Sequence, residues 1–140
     1  MISDYVRCAD ALLDKMFFDD VIYLIGRIGY EIQPEDERLV AFMVDDSVQE
    51  LLAKTHQTYL PAGLRFYLIK MIVGRFYLKK MATTGVPVDF NFDRAVSEVS
   101  EGGDRVVFAE RSSVEDQFRA YMQSYAGGDS TWIHYRRLAW

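Results

Sequence analysis

Between Pro61 and Gly85 the chain carries Phe66, Tyr67, Leu68, Ile69, Met71, Ile72, Val73, Phe76, Tyr77 and Leu78. A helix over Ala62 to about Thr83 is therefore apolar almost all round, and such a helix must be covered on every side. A single small domain offers two solutions. Either this helix is the centre of the fold, or a second chain covers part of it. Gly74, in mid-helix, costs up to ~1 kcal/mol against alanine, a cost that close approach of another helix would offset. Phe66, Ile69, Val73, Gly74 and Tyr77 are accordingly the candidate packing positions, within the subunit and against a neighbouring copy.

The rest of the chain is read around that helix. With 140 residues it is sized for one domain and can bury roughly two thirds of its unfolded surface without staples. Half of the residues are apolar, which excludes intrinsic disorder, and no apolar stretch approaches the ~20 residues of a membrane span. Ile2, Ser3 and Asp4 follow Met1 without a basic region, so no signal peptide is expected. Cys8 is the single cysteine. No internal disulfide or thiolate zinc site is expected, and a reducing, cytoplasmic compartment is.

The spacing of Tyr5, Ala9, Leu12, Leu13 and Met16 predicts a helix from Ile2 to about Phe17, with Ser3 as its N-cap. Asp19-Asp20 would open a second, short helix over Val21 to Ile28, closed by Gly29 in the left-handed region. Pro34 ahead of Glu35, Asp36 and Glu37 marks a helix start, and that helix should run to about Thr55. Asp45, Asp46 and Ser47 interrupt its apolar pattern. Past Gly85, Val86 to Phe90 reads as extended chain, and Phe92 to Val99 as a short helix or a strand. Gly102-Gly103-Asp104 is a turn signal. Arg105 to Ala109 has strand composition, as one arm of a hairpin or an edge strand. Ser112 or Ser113, followed by Glu115 and Asp116, caps a last helix that Gly127-Gly128 stops. The expected fold is mainly α: a small helical bundle around one long central helix over 1–130, with a short β hairpin or edge strand, and an extended C-terminal tail over 131–140.

Charge is unevenly distributed. Residues 1–60 hold 12 acids against 5 bases, 61–84 hold 5 bases and no acid, 85–130 hold 9 acids against 4 bases, and 131–140 add Arg136 and Arg137. A chain of net charge −5 is not built to bind phosphates by counterion release. The alternation fits either copies meeting through opposite charges or one basic helix salt-bridged inside its own fold.

No nucleophile has a visible base, so no enzyme activity is expected. Cys8 falls on the predicted helical face with Tyr5 and Leu12, as a small core residue. His56 follows a helix end, where an imidazolium would favourably meet the dipole. With His134 it lacks any metal-ligand spacing. Asp19-Asp20 and Asp45-Asp46 are carboxylate pairs, but neighbouring helical residues point about 100° apart, as befits caps and solvated faces. No cofactor is expected. What remains are surfaces. The segment 131–140 holds Trp132, Ile133, Tyr135, Arg136, Arg137, Leu138 and Trp140, among which Trp, Tyr and Arg are types enriched in interface hot spots. It either folds back on its own domain or docks on a partner.

The order of features resembles the head–tail connector (adaptor) proteins of tailed bacteriophages and prophages. The residues that carry the likeness span roughly 19–140. They are the apolar helix ending at Gly29-Tyr30, the Leu60-Pro61-Ala62-Gly63-Leu64 helix start, and Gly74-Arg75-Phe76-Tyr77-Leu78-Lys79. Phe90-Asn91-Phe92-Asp93-Arg94-Ala95-Val96 follows, then Ser100-Glu101-Gly102 leading into Val106-Val107-Phe108-Ala109. Tyr135-Arg136-Arg137-Leu138-Ala139-Trp140 closes the set. The turn at Gly102-Gly103 carries one glycine more than the family pattern, and the leading segment 1–17 has no family counterpart.

The resemblance implies a virion protein of the neck, made in the host bacterial cytoplasm. It would assemble as a ring, usually dodecameric, beneath the portal protein. The ring would extend the channel through which genomic DNA passes without specific binding, and offer a platform to a tail-side stopper or tail-completion protein. The family's C-terminal segment docks on the portal, so Trp132, Ile133, Tyr135, Arg136, Arg137, Leu138 and Trp140 become the expected anchor. The competing class is a small cytoplasmic helical regulatory module acting as a dimer.

Overall fold

In a computed structural model of the chain, residues 1–101, 112–127 and 131–136 are described. They form five α-helices: α1 (Lys15–Ile28), α2 (Glu37–Thr55), α3 (Arg65–Ala82), α4 (Phe92–Ser100) and α5 (Val114–Gly127), joined by short 3-10 turns. The protein is mainly helical, and no strand occurs among the described residues. Phe92–Ser100 is a helix, so it cannot be one arm of the expected hairpin. The strand expected over Arg105–Ala109 lies outside the described residues.

Helix α3 occupies the middle and packs against α1, α2 and α5. Leu68, Ile69, Met71, Ile72, Val73, Gly74, Phe76 and Tyr77 are all buried by the subunit's own helices. Of the five candidate packing positions, Ile69, Val73, Gly74 and Tyr77 are therefore already covered, and only Phe66 is exposed, at 73%. A Cβ added at Gly74 would stand 2.6 Å from Ala126 N and Tyr125 Cβ and 2.7 Å from Met122 O. The close approach that the glycine permits is thus made by α5 of the same chain.

Around α3 a ring of aromatic side chains sets the spacing of the other helices. Tyr77 and Phe118 meet edge to face at 5.3 Å, Phe90 lies 4.9 Å from Phe92, and Tyr30 lies 6.0 Å from Phe76. The Tyr77 hydroxyl is buried, yet it donates to the Ile25 carbonyl at 2.6 Å and accepts the Tyr30 N–H at 3.2 Å. It thereby joins α3 to the end of α1, where the Ile25 carbonyl also accepts from Gly29 N and Tyr30 N, each at 3.3 Å, and Gly29 has φ +137°. Burial pushes the Tyr77 phenol well up, so it stays neutral.

The N-terminal segment departs from the expected helix over 2–17. Only Ile2–Asp4 makes a 3-10 turn, and α1 begins at Lys15, capped by the Asp14 side chain accepting from Phe17 N at 2.9 Å. Asp19 and Asp20 lie inside α1 and open nothing. The reason is competition for backbone N–H groups. Asp45, from α2, accepts from Arg7 N and Cys8 N, and Asp10 accepts from Leu12 N and Leu60 N. Cys8 consequently sits on an irregular strap, half-buried, not on a helical face.

The other helices start and stop where the sequence indicates. Pro34 lies at the first position of a 3-10 turn that leads into α2, and Ala62–Leu64 forms a similar turn ahead of α3. Val86 to Phe90 is not simply extended, since Phe90 N donates back to Pro87 O at 2.9 Å. Asn91 caps α4 by accepting from Arg94 N, and Ser113 caps α5 by accepting from Asp116 N at 3.1 Å.

Candidate functional site

Cys8, Asp36, Asp45 and Asp46 are each engaged in holding the fold. Cys8 is pushed up to about 12 by burial and by the Asp45 carboxylate beside it, so its thiolate, the nucleophilic form, is scarce at neutral pH. Asp45 itself is held below its ordinary value: burial opposes its charge, but hydrogen bonds from Cys8 and Arg7 outweigh that. Asp46 pairs with Arg75 at 3.0 Å. The apolar gap at Asp45, Asp46 and Ser47 is therefore no break in α2. Two of the three carry contacts to other segments, and the buried Ser47 Oγ has no partner among the described residues.

Among the described residues the most buried charge is Asp36, at the entrance to α2. It accepts from the Lys80 ammonium at 2.7 Å, the Tyr30 hydroxyl at 2.5 Å and Gln33 N at 2.9 Å. Burial alone would raise its pKa. The hydrogen bonds from Lys80, Tyr30 and Gln33 prevail and hold the carboxyl below its ordinary range. Lys80 is raised for the matching reason, its desolvation being outweighed by Asp36 and Tyr30. The cluster fastens the 30–36 turn to the end of α3. Nothing in the sequence announced it, since Asp36 and Lys80 lie 44 positions apart and Asp36 alone reads as a helix-start acid.

The charge blocks resolve the same way. Arg65 pairs with Asp20, Arg75 with Asp46 and Glu50, and Lys80 with Asp36, while Lys70 Nζ lies 4.6 Å over the Tyr125 ring. Bases of 61–84 thus meet acids of 1–60 within one subunit. Of the two readings of the charge pattern, the internal one is realised.

The C-terminal segment lies on the far end of α2. Thr131–Tyr135 is a 3-10 turn, not an extended strand. Trp132 is half-buried against the core with Lys54 Nζ 5.6 Å over its ring. Gln57 donates to the Tyr135 carbonyl at 2.9 Å. The Tyr135 hydroxyl sits where a Cβ at Gly63 would be, 1.9 Å from that position. Arg136 Nη2 lies 3.3 Å from Nε2 of His56, the residue that ends α2 with φ +53°. Of the expected anchor residues, Trp132 and Tyr135 are thus committed to their own domain, because glycine at 63 leaves a seat for one ring. Ile133, His134 and Arg136 face solvent. Arg137, Leu138 and Trp140 lie outside the described residues.

Exposed apolar side chains sit elsewhere. The outer side of α1 presents Met16, Ile22 and Tyr23, with Met16 68% and Tyr23 65% exposed. Next to them a cavity of 340 Å³ opens between the N-terminal turn and α1, with Ile2, Leu13, Phe18 and Ile22 on its walls and Asp14, Lys15, Asp19 and Glu37 at its polar edge. The sequence pattern did not reveal this cavity, because it arises from the turn over Ile2–Asp4 that replaces the expected helix. No helix among the described residues is long and apolar enough to cross a membrane, and no group of three or more His, Cys, Asp or Glu converges among them. Comparison with known protein families, characterised proteins and solved structures finds no match.

Proposed function

We propose that this chain is a structural, non-catalytic subunit of a tailed-phage neck, a head–tail connector that assembles as a ring beneath the portal protein. Rings of the resembling family are usually dodecameric. The ring extends the DNA channel and presents a face to a tail-side stopper or tail-completion protein. The observation that carries this reading is the outer side of α1, where Met16, Ile22 and Tyr23 stand in solvent on a helix side that a free-standing monomer would make polar. The net charge of −5 supports a lumen through which phosphates slide without sticking.

Two features of the subunit narrow how such a ring would be held. Three bases of its basic helix, Arg65, Arg75 and Lys80, pair with acids of the same subunit, which favours copies meeting through apolar surface rather than through opposite charge blocks. The segment around Trp132 and Tyr135 fastens to its own α2, so any docking through the C-terminal region falls to Ile133 and to residues from Arg136 onward.

The deciding experiment is co-expression with a cognate portal protein, followed by affinity capture and cryo-electron microscopy. The expected result is a ring of this chain on the portal's tail-side face. A chain that remains a dimer and is not retained by portal would overturn the reading in favour of the small regulatory module.

A further inference from the structure

The cavity beside α1 and the residues that follow Arg136 are complementary in chemistry, yet they cannot meet within one subunit. The cavity holds 340 Å³ and is walled by Ile2, Leu13, Phe18 and Ile22; at its edge stand the carboxylates of Asp14, Asp19 and Glu37 and the ammoniums of Lys15 and Met1, with Glu37 paired to the Met1 ammonium and Asp14 capping α1. Among the described residues Asp19 has no ion-pair partner. The chain from Arg136 reads Arg-Arg-Leu-Ala-Trp, two guanidiniums followed by two large apolar side chains. Apolar groups suit the walls, and guanidiniums suit the rim.

Reach excludes the intramolecular pairing. The segment 131–136 is fastened at the C-terminal end of α2, through Lys54, His56 and Gln57. The cavity touches the first residue of α2, Glu37. His56 lies nineteen positions after Glu37, a helical length of roughly 28 Å. The four residues 137–140 span at most about 14 Å fully extended. Trp140 therefore falls short of its own subunit's cavity by about the length of the tail itself.

We infer that the cavity between the N-terminal turn and α1 receives residues Arg137–Trp140 of a second copy of this chain. One end of α2 offers the tail and the other end accepts it, so the contact is heterologous and propagates from copy to copy. The exposed Ile22 and Tyr23 continue the apolar wall of the cavity along α1 and extend the receiving surface. The inference deepens the proposed ring, and rests on it only for the closure of successive contacts into a circle.

The test uses two full-length variants, Trp140→Glu, which alters the donor, and Ile22→Glu, which alters the acceptor at a side chain already 40% exposed. Asp19→Lys, at an exposed rim position, serves as a second acceptor variant. Circular dichroism melting confirms that each is folded. Sedimentation and native mass spectrometry should show that the parent self-associates and that each variant does so roughly tenfold more weakly or not at all. Mixing Trp140→Glu with Ile22→Glu should restore one good contact, and so give a 1:1 heterodimer and nothing larger.

Three results would overturn the inference: a parent monomeric at every concentration, a Trp140→Glu chain that associates like the parent, or a mixture that stays monomeric. Portal capture, measured alongside, separates the two readings. Loss of capture by Trp140→Glu with capture by Ile22→Glu intact would make the tail a portal anchor and also refute the pairing. A heterodimer formed by proteins that portal does not capture would leave the pairing standing and remove the connector.

Discussion

Gly74 and Gly26 allow the same substitution to be made twice with opposite expected signs. Both are helical, and replacing either with alanine should gain up to ~1 kcal/mol from backbone propensity alone. At Gly26, on α1, a new Cβ would meet nothing within 4 Å, so the gain is kept. At Gly74 the new Cβ would stand 2.6 Å from Ala126 N and Tyr125 Cβ and 2.7 Å from Met122 O. An ordinary carbon contact lies near 3.5–4 Å, so α5 must move outward by about 1 Å. Two of those atoms belong to the α5 backbone, and no rotamer change relieves them. Overpacking of this kind costs about 1–3 kcal/mol, against the ~1 kcal/mol of propensity.

The expected outcome is that Gly74→Ala lowers stability by up to about 2 kcal/mol, that Gly74→Leu lowers it further, and that Gly26→Ala raises it. Urea denaturation followed by circular dichroism reads all three, and an unchanged slope keeps the comparison within two-state behaviour. If Gly74→Ala is stabilising by the same amount as Gly26→Ala, then α5 does not lie against α3 at that point, and the argument from the glycine fails.

The remaining expectations concern the fastened polar groups and the C-terminal segment. Asp36 has its carboxyl depressed in the fold, so its contribution is complete above the unfolded value of about 3.9 and is lost as pH falls through the folded value. Asp36→Asn should flatten the acid limb of stability against pH and cost about 3 kcal/mol near neutrality by leaving Lys80 without its counter-ion, and a parent-like acid limb would refute the assignment. With its pKa pushed up to about 12, Cys8 should alkylate far more slowly than a free thiol at pH 8, and faster in Asp45→Asn. Truncation after Ser130 should destabilise the domain by about 1–3 kcal/mol, through loss of the half-buried Trp132 and the Tyr135 contacts. An unchanged melting temperature would instead mean that the segment is a free tail.

Much of the helical frame was legible because single residues fixed it locally. Pro34, Pro61 and Ser113 mark starts, Gly29 marks a stop, and the all-round apolar run named the central helix. Gly74 even indicated a close helix contact, though not which helix would make it. The segment 1–17 misled for a physical reason: its apolar spacing is helical, but Asp10 and Asp45 take the N–H groups a helix would use, and Asp45 lies 37 positions from Cys8. A periodicity argument sees side chains and is blind to a distant carboxylate that outcompetes the i→i−4 bond. The tail was expected to be extended, and Thr131–Tyr135 is a 3-10 turn instead. Trp132 and Tyr135 have hot-spot chemistry, yet the seat at Gly63 that takes the Tyr135 ring is formed by a helix entrance far back in the chain.

Charge carries the same lesson into assembly. Four consecutive blocks of alternating sign suggest complementary faces, but ion pairs such as Arg65–Asp20 and Lys80–Asp36 join parts of two of them within the subunit. An acid already bonded to a base offers a second copy little further attraction, and exposed pairs contribute at most about 1 kcal/mol even when they form. The inferred contact would use apolar surface on α1 and the carboxylate of Asp19, one of several acids without an ion-pair partner among the described residues. Salt acts on these two unequally. Screening over about 8–10 Å weakens the long-range approach of Arg136 and Arg137, while an aromatic ring transferred into an apolar cavity is held by a force that salt does not diminish. Self-association through that cavity should therefore slow in onset as salt is raised, and yet remain tight once made. An interface built from the charge blocks would instead dissociate.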